Sequence, residues 1–225
     1  MTDALVENLE AVRRAIADRA ARAGRDPASI TLVAVTTTFP VARIRQAIAL
    51  GLATLGENRV QEAIPKIKEI GTEVATWHLI GHLQTNKVKF IEGRFAMVQS
   101  IDRVEVIDAL DRRLTSLLEV LIEVNVAQEP QKTGALPSEL PAIADAVQAA
   151  AHLRLRGLMT VAPMASDPEE VRPVFRRLRA IRDETSQRLA TALPVLSMGM
   201  TEDYPIAVEE GATMLRLGRA LFGPR

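Results

Sequence analysis

Leu196-Ser197-Met198-Gly199-Met200-Thr201, with Glu202 and Asp203 behind it, and then Met214-Leu215-Arg216-Leu217-Gly218-Arg219 decide the fold of this chain. Each stretch starts as a short apolar run of strand type. Each then turns through glycine, where backbone N–H groups can approach an anion closely. Ser197 and Thr201 add hydroxyl donors, and a helix opening after Thr201 would point its positive end at the same spot. Taken singly, Thr201 reads better as a helix cap and Gly218 as an ordinary turn residue. Two such turns in succession, near the end of a chain that alternates strands and helices, predict the phosphate site formed after the seventh and eighth strands of a (β/α)8 barrel.

Working outward, the same alternation runs back to the start of the chain. Leu5, Leu9, Val12 and Ile16 recur at helical spacing and make one apolar stripe. Ile30-Thr31-Leu32-Val33-Ala34-Val35 is a run of the buried parallel-strand type. Pro40 opens a helix through Ile44 and Ile48 that stops at Gly51. Further strands are predicted near 53–55, 76–80, 95–99, 118–125, 154–158, 194–197 and 213–217. Helices are predicted near 59–70, 84–92, 103–117, 138–151, 168–190 and 202–210. Asp167-Pro168-Glu169-Glu170 is a cap, a proline and two acids, a strong helix start. Counting Leu32–Val35, there are eight strands with helices between them, so the expected architecture is α/β: one (β/α)8 TIM-type barrel over 1–225 with an extra N-terminal helix. That helix is expected to stand beside the eighth strand, where a last helix is otherwise missing. An open doubly wound sheet is the competing architecture, but no G-x-G-x-x-G follows the first strand.

Bulk properties exclude several functions. The 225 residues are 48% hydrophobic, enough for one sizeable core, although a barrel typically takes about 250. Lys+Arg and Asp+Glu are 28 each, so no basic footprint for nucleic acid or an anionic membrane exists. Aromatic residues are 3%, too few for a base-stacking platform. With no cysteine, neither a disulfide framework nor a thiolate metal site is available. No signal-peptide pattern and no membrane-length apolar run are present, which predicts a cytoplasmic protein. A monomer whose partner is a small phosphate ligand taken by the glycine turns is expected. His78, His82 and His152 lack the partners for a metal site.

Barrel sites sit at the C-terminal ends of strands. That rule selects Thr36-Thr37-Thr38, Gly56-Glu57-Asn58, His78 to Lys87, Asn125 to Gly134, Met159 and the two glycine turns. The chain also carries Leu32-Val33-Ala34-Val35 with Pro40, Gly56-Glu57-Asn58-Arg59-Val60-Gln61-Glu62 and Trp77-His78-Leu79-Ile80-Gly81-His82-Leu83-Gln84-Thr85-Asn86-Lys87. Lys132-Thr133-Gly134, Leu155-Arg156-Gly157-Leu158-Met159 and Phe222-Gly223 complete the set. In this order it resembles the pyridoxal-phosphate homeostasis protein family (the YggS/PROSC group), whose barrel is similar to the N-terminal domain of alanine racemase.

The resemblance implies pyridoxal 5'-phosphate as cofactor, with free phosphate or sulfate able to occupy the same site. It implies Ser197, Gly199, Thr201 and Gly218 as phosphate binders, with Met198 and Leu217 in the same turns. It implies Arg216 facing the pyridine nitrogen, which would keep that nitrogen unprotonated. Asn58 would orient the hydroxyl side of the ring, and Ala34 and His78 fall along the cofactor. His78 reads equally well as a core histidine. Met159, Met198 and Met200 read as wall packing.

One position departs from the family. Its Schiff-base lysine follows the first strand, and Thr37 stands there in this chain. A hydroxyl cannot make a C=N bond with an aldehyde. The five lysines are Lys66, Lys68, Lys87, Lys89 and Lys132; of these, Lys132 is the expected stand-in. Three functions follow. The first is a non-enzymatic, non-covalent carrier of pyridoxal phosphate in vitamin B6 and amino-acid homeostasis. The second is a cofactor-free regulatory protein on the same fold. The third is a racemase-like enzyme, disfavoured because racemisation needs acid/base groups on both faces of a carbon and Tyr204 is the only tyrosine. No catalytic residue is assigned.

Overall fold

In the computed structural model, which describes residues 4–224, eight parallel strands close into a barrel in the order β1 to β8. The strands are β1 (Thr31–Val35), β2 (Thr54–Glu57), β3 (Thr76–Leu79), β4 (Met97–Ile101), β5 (Leu118–Glu123), β6 (Leu153–Met159), β7 (Val195–Ser197) and β8 (Met214–Leu217). Closure is made by β1 pairing with β8, in register from Thr31 with Met214 to Ala34 with Leu217. No strand edge is left open, which removes the unpaired edge of an open sheet.

Helices α1 (Ala4–Arg22), α2 (Val41–Ala49), α3 (Val60–Ile70), α4 (Val104–Asp111), α5 (Leu140–Ala149), α6 (Arg172–Leu189), α7 (Tyr204–Glu209) and α8 (Arg219–Phe222) surround the strands. The main core lies between them and the outward faces of the strands, with Ala34, Leu55, Trp77, Val98, Leu215 and Leu217 among its members. The barrel interior is a separate, smaller apolar layer of Val33, Met97, Leu121, Met159 and Met214. The alternation of side chains along each strand produces this split.

The predicted N-terminal stripe is buried as expected: Leu5, Leu9, Val12 and Ile16 are all in the core. α1 packs on α7 and α8, beside β8. Polar ties hold it there: Asn8 Nδ2 donates to the Leu221 carbonyl at 2.9 Å, and Arg19 pairs with Glu209 at 2.7 Å.

Four helices differ from expectation. The segment predicted as a helix over 84–92 is a 3-10 turn, Thr85–Phe90. α4 stops at Asp111 rather than 117, and the amide and hydroxyl of Thr115 instead donate to the Glu92 carboxylate at 2.6 and 2.7 Å. The helix predicted from 168 begins as a 3-10 turn, Pro168–Val171, capped by Asp167, and α6 starts after it. Pro173 has no N–H to continue the first turn, so the helix restarts. α7 is only Tyr204–Glu209, again with a proline at its start. Among the described residues, no helix is long and apolar enough to cross a membrane.

Candidate functional site

A cavity of about 620 Å³ opens at the C-terminal ends of the strands, within the range of small-ligand pockets. Val35, Asn58, Ile80, Arg216 and Gly218 line it from the strand ends, and Thr201 and Asp203 from the loop after β7. The 161–165 loop and Pro168 close the far side. A second cavity of about 500 Å³ lies at the opposite face, between α1 and the strand starts, with Arg13 and Leu52 in its wall. The first is the candidate site, because barrel chemistry sits at the C-terminal face.

The cup is built from backbone. The amides of Thr201, Gly218 and Arg219 donate to no acceptor among the described residues, so they are available to an anion. Thr201 Oγ1 accepts from the Ala220 amide at 3.1 Å, which leaves its proton free to donate into the cavity. Gly199 makes the turn possible. Its φ is +94°, and a Cβ there would lie 2.6 Å from Ala207 Cβ. The expected dipole of a long helix after Thr201 is not available from a six-residue α7. The cup therefore rests on amides, the Thr201 hydroxyl and arginine. Gly81 serves Asn58 in a similar way to Gly199: a Cβ at 81 would sit 2.3 Å from the Asn58 carbonyl.

Beneath the cup, inward-facing polar side chains form a one-way hydrogen-bond chain. Arg216 Nη1 donates to Ser197 Oγ at 2.7 Å, and Nη2 donates to the Thr160 carbonyl at 2.7 Å. Ser197 Oγ donates to Gln99 Oε1 at 2.6 Å. Gln99 Nε2 then donates to His78 Nδ1 at 2.9 Å and to Met214 Sδ at 3.1 Å. An amide nitrogen only donates, so His78 Nδ1 accepts and its ring proton lies on Nε2. Burial holds His78 down at about 4, neutral at physiological pH.

Arg216 is 3% exposed and has no carboxylate within ion-pair distance among the described residues. Burial lowers its pKa to about 10, opposed by the charges of Glu123 and Asp203, so it stays cationic at pH 7. Burial raises the Glu123 carboxyl, which accepts from Thr133 Oγ1 at 2.8 Å. Burial also raises Asp203, whose carboxylate accepts from the Met200 amide at 2.6 Å.

Thr37 is turned toward β2. Its Oγ1 accepts from the Asn58 amide at 2.9 Å and lies 3.4 Å from Glu57 Oε2. Lys66 is an amine in that region, but it belongs to α3 and sits between helix and sheet on the outer side of the barrel. Its Nζ donates to the Thr36 carbonyl, Glu57 and Glu62 at 2.8, 2.8 and 2.9 Å. Lys132 Nζ reaches the Ala162 carbonyl, on the cavity wall, at 2.9 Å, and pairs with Glu129 at 2.6 Å. No lysine lines the cavity.

The alanine racemase N-terminal domain family matches residues 2–225. A pyridoxal phosphate homeostasis protein of Pseudomonas aeruginosa is 42% identical over 224 residues, covering 98% of this chain and 96% of that one. One from Aquifex aeolicus is 40% identical over 222 residues, covering 97% of each. The chain belongs to the pyridoxal phosphate homeostasis protein family. PipY of Synechococcus elongatus, a structure with PLP bound, matches with a TM-score of 0.78 at 36% identity, over 92% of this chain and 100% of that one. Alanine racemase from Corynebacterium glutamicum shares the fold, with a TM-score of 0.71 at 18% identity over 99% of this chain and 61% of that one.

Against this geometry the expected positions divide. Asn58, Thr201, Arg216 and Gly218 converge on the cavity. Ser197 and His78 lie below it in the buried chain, with the Ser197 hydroxyl engaged on both sides. Ala34, Met198 and Leu217 turn their side chains outward into the sheet–helix core. Gly199 shapes the turn. Thr37 is beside the cavity wall without lining it. Gln99 and Glu123 went unselected in the sequence, although both are buried polar residues in mainly apolar strands, which is a readable signal. Among the described residues, no group of three or more His, Asp or Glu could hold a metal ion.

Proposed function

We propose that the chain binds pyridoxal phosphate reversibly in the cavity at the barrel mouth and serves as a carrier of that cofactor rather than as an enzyme. One observation carries the reading: three unengaged amides, the Thr201 hydroxyl and the buried Arg216 cation converge on one cavity. A phosphate group is what such a donor set complements. The amides of Thr201, Gly218 and Arg219 hold the phosphate. Arg216 sits beside the ring, where its charge disfavours protonation of a pyridine nitrogen. Asn58 borders the opposite wall. When bound, the cofactor supplies an aldehyde able to condense with amines.

The lack of a lysine and a tyrosine in the described cavity wall is consistent with a carrier role. Tyr204 is half-buried on α7 and lies toward Arg19 of α1, away from the cavity. The described cavity wall holds carboxylates, Glu202 and Asp203, but neither a lysine nor a tyrosine. A cofactor-free regulatory role on the same fold is the second reading, favoured by the lack of any lysine in the cavity wall. The chain is taken to work as a monomer in the cytoplasm, which sedimentation and fractionation test directly.

Equilibrium dialysis against pyridoxal phosphate, with inorganic phosphate as competitor, separates the two readings. Saturable binding of one equivalent, displaced by phosphate, is expected of the carrier. Absence of saturable binding establishes the cofactor-free protein.

A further inference from the structure

Among the described residues the cavity wall contains two arginines and no amine or thiol, so nothing described there can distinguish an aldehyde by making a covalent bond. The two nearest amines are both committed. Lys66 donates to three acceptors behind the sheet, and Lys132 is held by Glu129 and the Ala162 carbonyl. The Thr37 hydroxyl is likewise occupied by the Asn58 amide. What remains is recognition of a phosphate by amides and of an aromatic nitrogen heterocycle by Arg216 and the apolar wall of Val35, Ile80 and Val161.

These features are shared by every 5'-phosphorylated pyridine of this class, whatever its 4' carbon carries. We propose that the site is a general binder of phosphorylated B6 compounds and takes the 4'-amine and 4'-alcohol forms as tightly as the 4'-aldehyde. This rests on the cavity's being the pyridoxal phosphate site, and it changes what the protein carries. A pool of mixed oxidation state would be held in one cavity, released by dilution and without hydrolysis of a C=N bond. The reaction classes that exchange with such a pool are the oxidases that turn the 4'-alcohol or 4'-amine into the aldehyde.

The test is a parallel set of equilibrium dialyses with pyridoxal, pyridoxamine and pyridoxine 5'-phosphates, on the parent protein and on Thr201→Val and Gly218→Val. Borohydride treatment and peptide mapping follow the aldehyde arm. Dissociation constants within about threefold of one another, all weakened at least fivefold in a folded variant, are expected. An aldehyde form bound ten or more times tighter, with a reduced adduct on Lys132 or Lys66, overturns the inference and leaves the carrier reading standing. Equal affinities unmoved by both substitutions place the binding elsewhere and also overturn it. If none of the three binds better than inorganic phosphate, the carrier reading itself fails.

Discussion

Arg216 Nη1 donates to Ser197 Oγ at 2.7 Å, and through that bond a cation at the barrel mouth is tied to the middle of the barrel. Ser197 passes the bond to Gln99, and Gln99 passes it to His78. Every donor points the same way, so the chain fixes the guanidinium and the histidine tautomer together. Buried polar chains of this kind are stabilising only when complete.

Ser197→Ala leaves a guanidinium N–H and Gln99 Oε1 without partners. The expected loss is about 2 to 3 kcal/mol of stability, read by denaturant titration with unchanged slope. Combining it with Gln99→Ala should cost clearly less than the sum of the two single changes, because both break one network. Strict additivity would show that the bonds act independently.

His78 predicts a pH dependence. Its folded pKa, about 4, lies below the unfolded value of about 6.5. The unfolded chain therefore binds the extra proton first as pH falls. The contribution of His78 is fully present above about pH 6.5 and gone near pH 4, worth about 3 kcal/mol across that window. Glu57, Glu123 and Asp203 have raised pKa values and act in the opposite sense, gaining stability on protonation. They are common to parent and His78→Gln, so the difference between the two melting curves isolates the histidine. A difference that does not change from pH 7 to pH 4 contradicts the assignment.

Thr37→Lys places an amine beside Val35 and Asn58, both of which line the cavity. The substitution gives up the bond to the Asn58 amide, a loss of about 1 kcal/mol that the fold should tolerate. Pyridoxal phosphate should then survive gel filtration and be trapped by borohydride on residue 37. The parent should lose most of its ligand on the same column, with at most a minor adduct on Lys132. A folded Thr37→Lys protein without a trapped adduct would mean that position 37 does not face the aldehyde.

Gly218→Val tests the cup. A Cβ at 218 meets Val35 at 3.5 Å, ordinary contact, so the protein itself has room for it. The γ-methyl groups must occupy the space around the unengaged amides. Affinity for a phosphate ligand should fall at least fivefold in dialysis while the circular dichroism spectrum stays that of the parent. Unchanged affinity would move the phosphate elsewhere.

The barrel was legible because strand type, glycine turn and helix cap agree locally at one element after another, from Leu32–Val35 to Leu217–Gly218. The cup residues Thr201 and Gly218 were legible for the same reason: their chemistry lies within a few positions of chain. The Arg216–Ser197–Gln99–His78 chain was not, since it joins four strands and depends on which side of each strand faces inward. Ser197 therefore read as an anion donor when its hydroxyl is committed within the barrel. The shortened α4 was equally hidden, because a distant carboxylate, Glu92, competes for the Thr115 amide. Thr37 shows the reverse case. The chemistry it lacks is evident from residue type alone, while its bond to the Asn58 amide required the fold.

The way α1 is clasped makes its cover a long-range one. Asn8 bonds to a carbonyl 213 positions further along, and the stripe of Leu5, Leu9, Val12 and Ile16 is covered by α7 and α8. The apolar side of α1 is thus covered by elements far along the sequence, so loosening α7 or α8 bares it, however sound the rest of the barrel is.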